Sequence, residues 1–213
     1  MQEEKKKLLE EIGTATSSLP QDVKTINCLL IGQVSAGKTS FCNAAATAIA
    51  DEKRLIKPQT VYKSSVKSTT VKLESCILLQ GDKQLPLLIH DCRGLHEIDS
   101  IQKEDIFYTV DGHIEPGYKF DPEKPISISD ACYRKDPKLA DKMHCVVYVV
   151  DATGSKKVLA SENAEETFRD LRERLASTYV PQLVLMNKID QLHENFQGDL
   201  ERVFYSQLVQ RLF

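Results

Sequence analysis

The most constraining feature of the sequence is an apolar run that leads directly into a glycine-bounded loop and then into a helix-forming segment. Residues 26–31 read INCLLI, which is typical of a strand buried on both faces of a parallel sheet. Gly32 follows at once. Residues 39–50 contain neither Gly nor Pro and are rich in alanine, so a helix is predicted from about Lys38 to Asp51. A strand, a loop and a helix in immediate succession favour an α/β fold.

The rest of the chain continues this alternation. The apolar patterns predict a short helix over 5–12, a hairpin over 71–91, a buried strand over 144–151, a helix over about 164–175, an apolar strand over 182–187 and a last helix over 199–213. Residues 92–142 hold four of the eight prolines and are predicted to be irregular. This stretch is too long for a simple connection, which indicates that it has a function of its own.

Composition excludes several classes of protein. The 213 residues carry a net charge of −3, so no strongly basic field exists to hold nucleic acid. The longest apolar stretches are far shorter than the ~20 residues of a transmembrane helix. The N-terminus lacks the apolar run of a secretory signal, so a cytoplasmic protein is expected. The six cysteines show no CxxC spacing and are predicted to be free thiols.

The glycine-bounded loop matches the phosphate-binding pattern G-x-x-x-x-G-K-[ST] between a strand and a helix. Its glycines let the backbone wrap a phosphate, to which the N-terminus of the helix presents its N–H groups. Lys38 is expected to reach the β and γ phosphates, and the Thr39 hydroxyl to bind Mg²⁺. The predicted nucleotide-binding residues of this loop are Gly32, Gln33, Val34, Ser35, Ala36, Gly37, Lys38, Thr39 and Ser40.

A second motif, Asp91-Cys92-Arg93-Gly94, ends the second strand of the hairpin. In open α/β sheets, ligands bind at the carboxyl ends of the strands. Asp91 is expected to lie near Thr39 and to hold Mg²⁺ through a water, and the Gly94 N–H to meet the γ phosphate. Arg93 is either a phosphate contact or an exposed surface residue.

A third motif, Asn187-Lys188-Ile189-Asp190, ends the strand at 182–187. The Asp190 carboxylate can accept hydrogen bonds from the guanine N1–H and 2-amino group, which adenine does not offer. Asn187 is expected to bond the base from its other edge, and the Lys188 stem to lie along the ring. Because an unpaired buried carboxylate is costly, this motif discriminates against ATP. The predicted ligands are therefore GTP or GDP with Mg²⁺.

Hydrolysis depends on residues that the motifs leave less defined. Thr69 or Thr70 is the expected switch I residue for Mg²⁺ and the γ phosphate, because both directly precede the hairpin, and Thr60 is the more distant alternative. The residue after the second motif is Leu95, where Ras-like GTPases use a Gln that orients water. Leucine cannot orient water. His96 is the nearest alternative base or water-orienting group, or it has no role in hydrolysis.

These motifs, together with residues 104–126 and the segment Met143-His-Cys-Val-Val147, resemble the GTPase domain of the interferon-induced protein 44 family. The specific part of the resemblance is Asp105-Ile-Phe-Tyr108, Gly112-His-Ile114, Tyr118-Lys-Phe120, Asp121-Pro122 and Lys124-Pro-Ile126, which small GTPases lack. The resemblance implies a cytoplasmic, immunity-associated protein that binds guanine nucleotides, with effector proteins or further copies of itself as partners.

Together, the motifs and the resemblance predict a three-layer P-loop NTPase fold, a Ras-like G domain with a mostly parallel sheet. Residues 1–24 form a lead-in, and residues 25–213 form the G domain with an insertion at about 96–142. Because Phe213 ends the chain, a fragment or short form without the last strand and helix is expected, with the strand at 182–187 at the sheet edge. The expected function is a slow GTPase switch, and the alternative is a scaffold that binds nucleotide without hydrolysing it.

Overall fold

A computed structural model describes residues 2–50, 71–92, 94–95, 101–153 and 162–191. The bounds of its elements follow in chain order. They are α1 (Gln2–Thr14), β1 (Ile26–Gly32), α2 (Lys38–Ile49), β2 (Glu74–Gln80), β3 (Lys83–Asp91), α3 (Lys103–Val110), a 3-10 turn (Leu139–Asp141), β4 (Cys145–Asp151), α4 (Glu162–Ala176), β5 (Gln182–Asn187) and a second 3-10 turn (Ile189–Gln191).

The strands form one mostly parallel sheet in the order β2-β3-β1-β4-β5. β2 and β3 are the antiparallel hairpin that the sequence predicts, and the other neighbours are parallel. The register pairs Leu30 with Asp91, Gly32 with Val149, and Asp151 with Asn187. The carboxyl ends of β1, β3, β4 and β5 therefore meet at one edge of the sheet.

Successive residues of the central strands face opposite layers. Leu29 of β1 and Tyr148 of β4 pack with α3 and α4 on one side, whereas Leu30 and Val149 pack with α1 and α2 on the other. Strands buried on both faces give the near-continuous apolar runs seen in the sequence. The predicted three-layer α/β fold is confirmed.

The insertion is not irregular throughout, because it contains α3. Tertiary contacts hold this eight-residue helix. Asp105 is fully buried, and its Oδ1 accepts a hydrogen bond from the Ile126 N–H at 2.8 Å. The guanidinium of Arg174 on α4 lies 3.8 Å from the centre of the Phe107 ring. Burial raises the pKa of Asp105 to about 6, against the opposing effect of the hydrogen bond from Ile126.

One other element differs from its predicted bounds. α1 is longer than the predicted 5–12, and its Leu9 is buried in the same core cluster as residues of α2. β5 lies at the edge of the described sheet, where the sequence analysis expects it, and its Leu183 and Val184 are 57% and 38% exposed. A cavity of about 440 Å³ opens beside Val184, between β5 and α4. The predicted helix over 199–213 lies outside the described residues.

All six cysteines lie within the described ranges and are free thiols, as predicted. In the parts of the chain that the structure describes, no helix has both the length and the apolar character needed to cross a bilayer.

Candidate functional site

The phosphate-binding loop connects β1 to α2 at the carboxyl edge of the sheet. Gly32 has no side chain, and a Cβ there would lie 2.3 Å from the Val149 carbonyl oxygen of β4. Gly37 precedes α2 with φ +99°, a left-handed conformation that favours glycine, and it offers no side chain to cap the helix. Because the first N–H groups of a helix have no acceptor within it, this end of α2 presents them to an anion.

Lys38, the first residue of α2, is buried. Its Nζ lies under the loop and donates hydrogen bonds to the carbonyl oxygens of Gly32 at 2.9 Å and Gln33 at 3.1 Å. These two bonds hold a positive charge inside the loop. A charge held there by backbone oxygens is suited to pairing with a phosphate.

Thr39 and Asp91 come together although 52 positions separate them in the chain. The Thr39 hydroxyl donates to the Asp91 Oδ2 at 2.5 Å, and Asp91 is fully buried at the end of β3. The contact brings a hydroxyl oxygen and a carboxylate together at the carboxyl edge of the sheet. Hard oxygen ligands of this kind are the ones that Mg²⁺ prefers, so the two residues fit the predicted ion.

The segment after Asp91 lies directly on the phosphate loop. The Leu95 N–H donates to the Gly32 carbonyl at 3.0 Å, and the Leu95 carbonyl accepts from the Val34 N–H at 3.1 Å. A Cβ on Gly94 would lie 2.8 Å from the Val34 backbone nitrogen, so this approach depends on glycine. The Leu95 side chain is only 3% exposed and packs in the core. The Leu95 side chain therefore contributes to core packing and does not line a water-binding surface.

Asn187 lies against the phosphate loop, and its predicted bond to the base stays a prediction. Its Nδ2 donates to the carbonyl oxygen of Ala36 at 2.9 Å, and its Oδ1 accepts from the Lys188 N–H at 2.9 Å. The amide occupies the space that a side chain on Gly37 would fill. In this arrangement, the Asn187 amide faces the phosphate loop and connects the third motif to it.

Lys188 pairs with Asp151, a residue that none of the sequence motifs predicts. Its Nζ lies 2.6 Å from Oδ2 of Asp151, which is 7% exposed at the end of β4. The N–H and hydroxyl of Thr153 donate to Asp151 Oδ1 at 3.0 and 2.6 Å. Burial raises the pKa of Asp151, but the hydrogen bonds from Lys188 and Thr153 outweigh it and hold the pKa below its usual value. The sequence pattern could have identified Asp151, because this residue ends a buried strand as Asp91 does.

The remaining predicted residues divide into two groups. Asp190 is exposed on the turn after β5, and no described residue bonds its carboxylate. The loop residues Ser35 and Ser40 are also exposed. Outside the described residues lie the predicted switch and catalytic candidates Thr60, Thr69, Thr70, Arg93 and His96.

Comparison with curated proteins finds the relatives that the sequence pattern suggests. The chain is 29% identical over 181 residues to interferon-induced protein 44 of Homo sapiens and 27% identical over 193 residues to that of Mus musculus. It is 26% identical over 181 residues to interferon-induced protein 44-like of Homo sapiens. The resemblance to this family is confirmed. The alignments cover 84%, 89% and 83% of the chain but 40%, 44% and 39% of the relatives, so the chain spans about two fifths of their length. No family model matches the chain.

Two solved structures give weaker likenesses. The NFeoB protein of S. thermophilus, bound to GDP and AlF4−, has a TM-score of 0.42 and 18% identity over 85% of this chain and 53% of its own. The signal recognition particle receptor complex of Chaetomium thermophilum has a TM-score of 0.39 and 18% identity over 78% of this chain and 70% of its own. At this similarity, neither carries an argument about function.

Two glycines test the contact between Asn187 and the loop. A Cβ on Gly37 (φ +99°) would lie 2.0 Å from the Asn187 Nδ2, whereas a Cβ on Gly117 (φ +94°) would meet nothing within 4 Å. Both alanine variants share the left-handed backbone penalty of about 1–2 kcal/mol. In Gly37→Ala the Asn187 amide must also give up its hydrogen bond to Ala36. Urea unfolding should therefore show that Gly37→Ala lowers the free energy of unfolding by about 1 kcal/mol more than Gly117→Ala does.

A double variant checks the cause of that difference. Adding Asn187→Ala to Gly37→Ala should lower the free energy of unfolding by less than Asn187→Ala does in the wild type, because the bond is already lost. Equal losses for the two glycine variants, or fully additive losses in the double variant, would contradict the assigned contact.

Proposed function

We propose that this chain is a guanine-nucleotide-binding domain that works as a slow GTPase switch in an interferon response. The observation that supports it best is the joining of the phosphate loop to the base-reading motif. The bond from Asn187 to Ala36 brings the two motifs into contact at the carboxyl edge of the sheet, and the ion pair with Asp151 fixes Lys188 at the end of β4. A nucleotide needs both at once, since its phosphates and base are bound together.

The described residues suggest a division of roles. Lys38 neutralises phosphate charge, and the N-terminus of α2 donates N–H groups to the same oxygens. Thr39 and Asp91 hold Mg²⁺, which supplies positive charge to the phosphates when it is bound. Thr69 or Thr70 stays the proposed switch I ligand, and His96 the proposed water-orienting group.

Recognition of the guanine base is assigned to Asp190, and Lys188 assists it. The Lys188 ammonium is paired with Asp151, and the carboxylate of Asp190 is exposed. Asp190 is then able to accept both guanine protons instead of pairing with the adjacent lysine. Adenine has an unprotonated N1 and no 2-amino group, so it offers this carboxylate no matching donor pair, which disfavours ATP.

The interferon-related role rests on the names of the relatives. Two are named interferon-induced protein 44 and one interferon-induced protein 44-like. Because the chain spans about two fifths of their length, the activity and partners of a whole protein are also proposals. We infer a cytoplasmic location and protein partners, either effectors or a second copy. The net charge of −3 argues against a nucleic acid partner.

A base-exchange variant tests the proposed ligand. Asp190→Asn removes the acceptor of two guanine protons and can donate to the oxo group that xanthine carries in place of the 2-amino group. Fluorescence competition should show a loss of GTP affinity of about 100-fold or more and a gain for xanthosine triphosphate. Asp136→Asn, at another exposed aspartate, is the matched control and should change neither affinity. An unchanged guanine preference in Asp190→Asn would refute the assignment.

The rate of hydrolysis separates the switch from the alternative scaffold. The buried Leu95 supports the scaffold, because it cannot align water, whereas Lys38, Thr39 and Asp91 support turnover. We expect phosphate release by dilute protein at or below the ~10⁻³ s⁻¹ of unassisted small GTPases. Release that rises with protein concentration would indicate help from a second copy. No release at all would favour the scaffold, and a rate near 1 s⁻¹ would contradict both.

A further inference from the structure

Two cysteines face each other on neighbouring strands of the sheet. Cys28 of β1 and Cys145 of β4 are directly opposite in the parallel register of these strands. Both side chains pack against the core cluster on the α1 and α2 side, so they project from the same face of the sheet. We call these two residues the strand dithiol.

The spacing of the strand dithiol suits a disulfide. Neighbouring strands lie about 4.8 Å apart, and disulfides join Cα atoms that are roughly 4.4 to 6.8 Å apart. The two thiols already interact, because the side chains of Cys28 and Cys145 are hydrogen-bonded to each other. A bridge between directly paired strands brings the Cβ atoms closer together than the strands, which strains the sheet. Strained disulfides are the ones that thiols reduce readily.

The hydrogen bond makes the two thiols unequal. It stabilises the thiolate of Cys145 and lowers the pKa of this residue to about 7, against the opposing effect of burial. The same contact, together with burial, raises the pKa of Cys28. Because the thiolate is the nucleophile, Cys145 is the sulfur that reacts first near neutral pH. Cys28 lies beside it as the thiol that can complete a disulfide.

Access to solvent separates the strand dithiol from a second pair of thiols in the same core cluster. Cys42 and Cys76 also interact through their side chains, but they are 0% and 7% exposed. Cys28 and Cys145 are both partly exposed. Cys132 is partly exposed as well, but it packs against the core cluster on the opposite face of the sheet. Among the six cysteines, a neighbouring thiol and access to solvent therefore coincide at the strand dithiol.

We propose that the strand dithiol is a reversible oxidation site that reacts with peroxides. The Cys145 thiolate attacks one oxygen of hydrogen peroxide, so that an S–O bond forms and the O–O bond breaks. The hydroxide that leaves takes up the proton that Cys145 had released. The Cys28 sulfur then attacks the Cys145 sulfur, an S–S bond forms, the S–O bond breaks, and the departing hydroxide and the Cys28 proton make water.

The two steps balance without a cofactor. The two thiols lose two electrons, and one hydrogen peroxide is reduced to two waters. A dithiol reductant restores both cysteines by thiol–disulfide exchange and is itself oxidised to a disulfide. The reaction requires no nucleotide, so the strand dithiol is independent of the proposed guanine-nucleotide site.

Oxidation of the wild-type protein is the first test. The reduced protein, freed of reductant, is treated with a small excess of hydrogen peroxide, its remaining thiols are alkylated, and its peptides are identified by mass spectrometry. The main product should be a peptide pair joined through Cys28 and Cys145, in a protein that stays monomeric on a non-reducing gel. Dithiothreitol should release the pair, and Cys42 and Cys76 should be recovered as alkylated thiols. A bridge between Cys42 and Cys76 that forms first, or a sulfinic acid at Cys145 without a bridge, would overturn the inference.

Two substitutions at one position test the order of the steps. Cys28→Ser keeps a hydrogen-bond donor beside Cys145 but removes the second sulfur, so peroxide should give a sulfenic acid at Cys145 that dimedone traps at close to the wild-type rate. Cys28→Ala removes the donor as well, and the pKa of Cys145 should return to its ordinary range. The first step should then be about tenfold slower at neutral pH, because less thiolate is present.

A control variant and the wild-type result keep the test decisive. Cys132→Ser, at a partly exposed cysteine on the other face of the sheet, should change neither the rate nor the product. Equal rates of sulfenic acid formation in folded Cys28→Ser and Cys28→Ala proteins would contradict the assigned role of Cys145. If circular dichroism shows that either variant is unfolded, the product map of the wild-type protein decides.

Discussion

The parallel pairing of β1 with β3 and β4 is the constraint on which the rest of the site depends. It ends the neighbouring strands at one edge, so that Gly32, Asp91 and Asp151, each the last residue of its strand, lie at that edge although they are far apart in the chain. Each strand then contributes one part of the proposed site: β1 leads into the phosphate loop, β3 ends in the proposed cation ligand Asp91, and β4 ends in Asp151, which pairs with Lys188. The close approach at Gly32 permits this arrangement, since any side chain there would collide with β4.

Charge compensation determines how the base-reading motif is held. Asp151 and Lys188 are a partly buried pair, and Thr153 completes the hydrogen bonding of the carboxylate. Removing one member of such a pair leaves an uncompensated charge, which is more costly than the pair itself is stabilising. The lowered pKa of Asp151 means that the carboxylate keeps its charge as the pH falls through its usual range. The pair is therefore lost only in stronger acid than an ordinary aspartate would tolerate.

Much of the fold and the position of the motifs could be predicted from local sequence. Apolar runs identified β1 and β4 because both are buried on two faces, and the glycines of the loop identified its sharp turn into α2. α3 was not predicted, because its burial depends on partners in distant parts of the chain, namely Ile126 and Arg174. The bond from Asn187 to Ala36 spans 151 positions, and no local pattern predicts such a contact.

Equilibrium nucleotide binding tests the central claim most directly, namely that the loop around Lys38 and the motif around Asp190 form one guanine-nucleotide site. With a fluorescent GTP and Mg²⁺, unlabelled GTP and GDP should compete and ATP should not. Lys38→Ala, which removes the buried charge of the loop, should lower the GTP affinity by about 100-fold or more, whereas Lys135→Ala at an exposed lysine should leave it unchanged. Equal competition by ATP, or unchanged GTP affinity in a folded Lys38→Ala protein, would contradict the account.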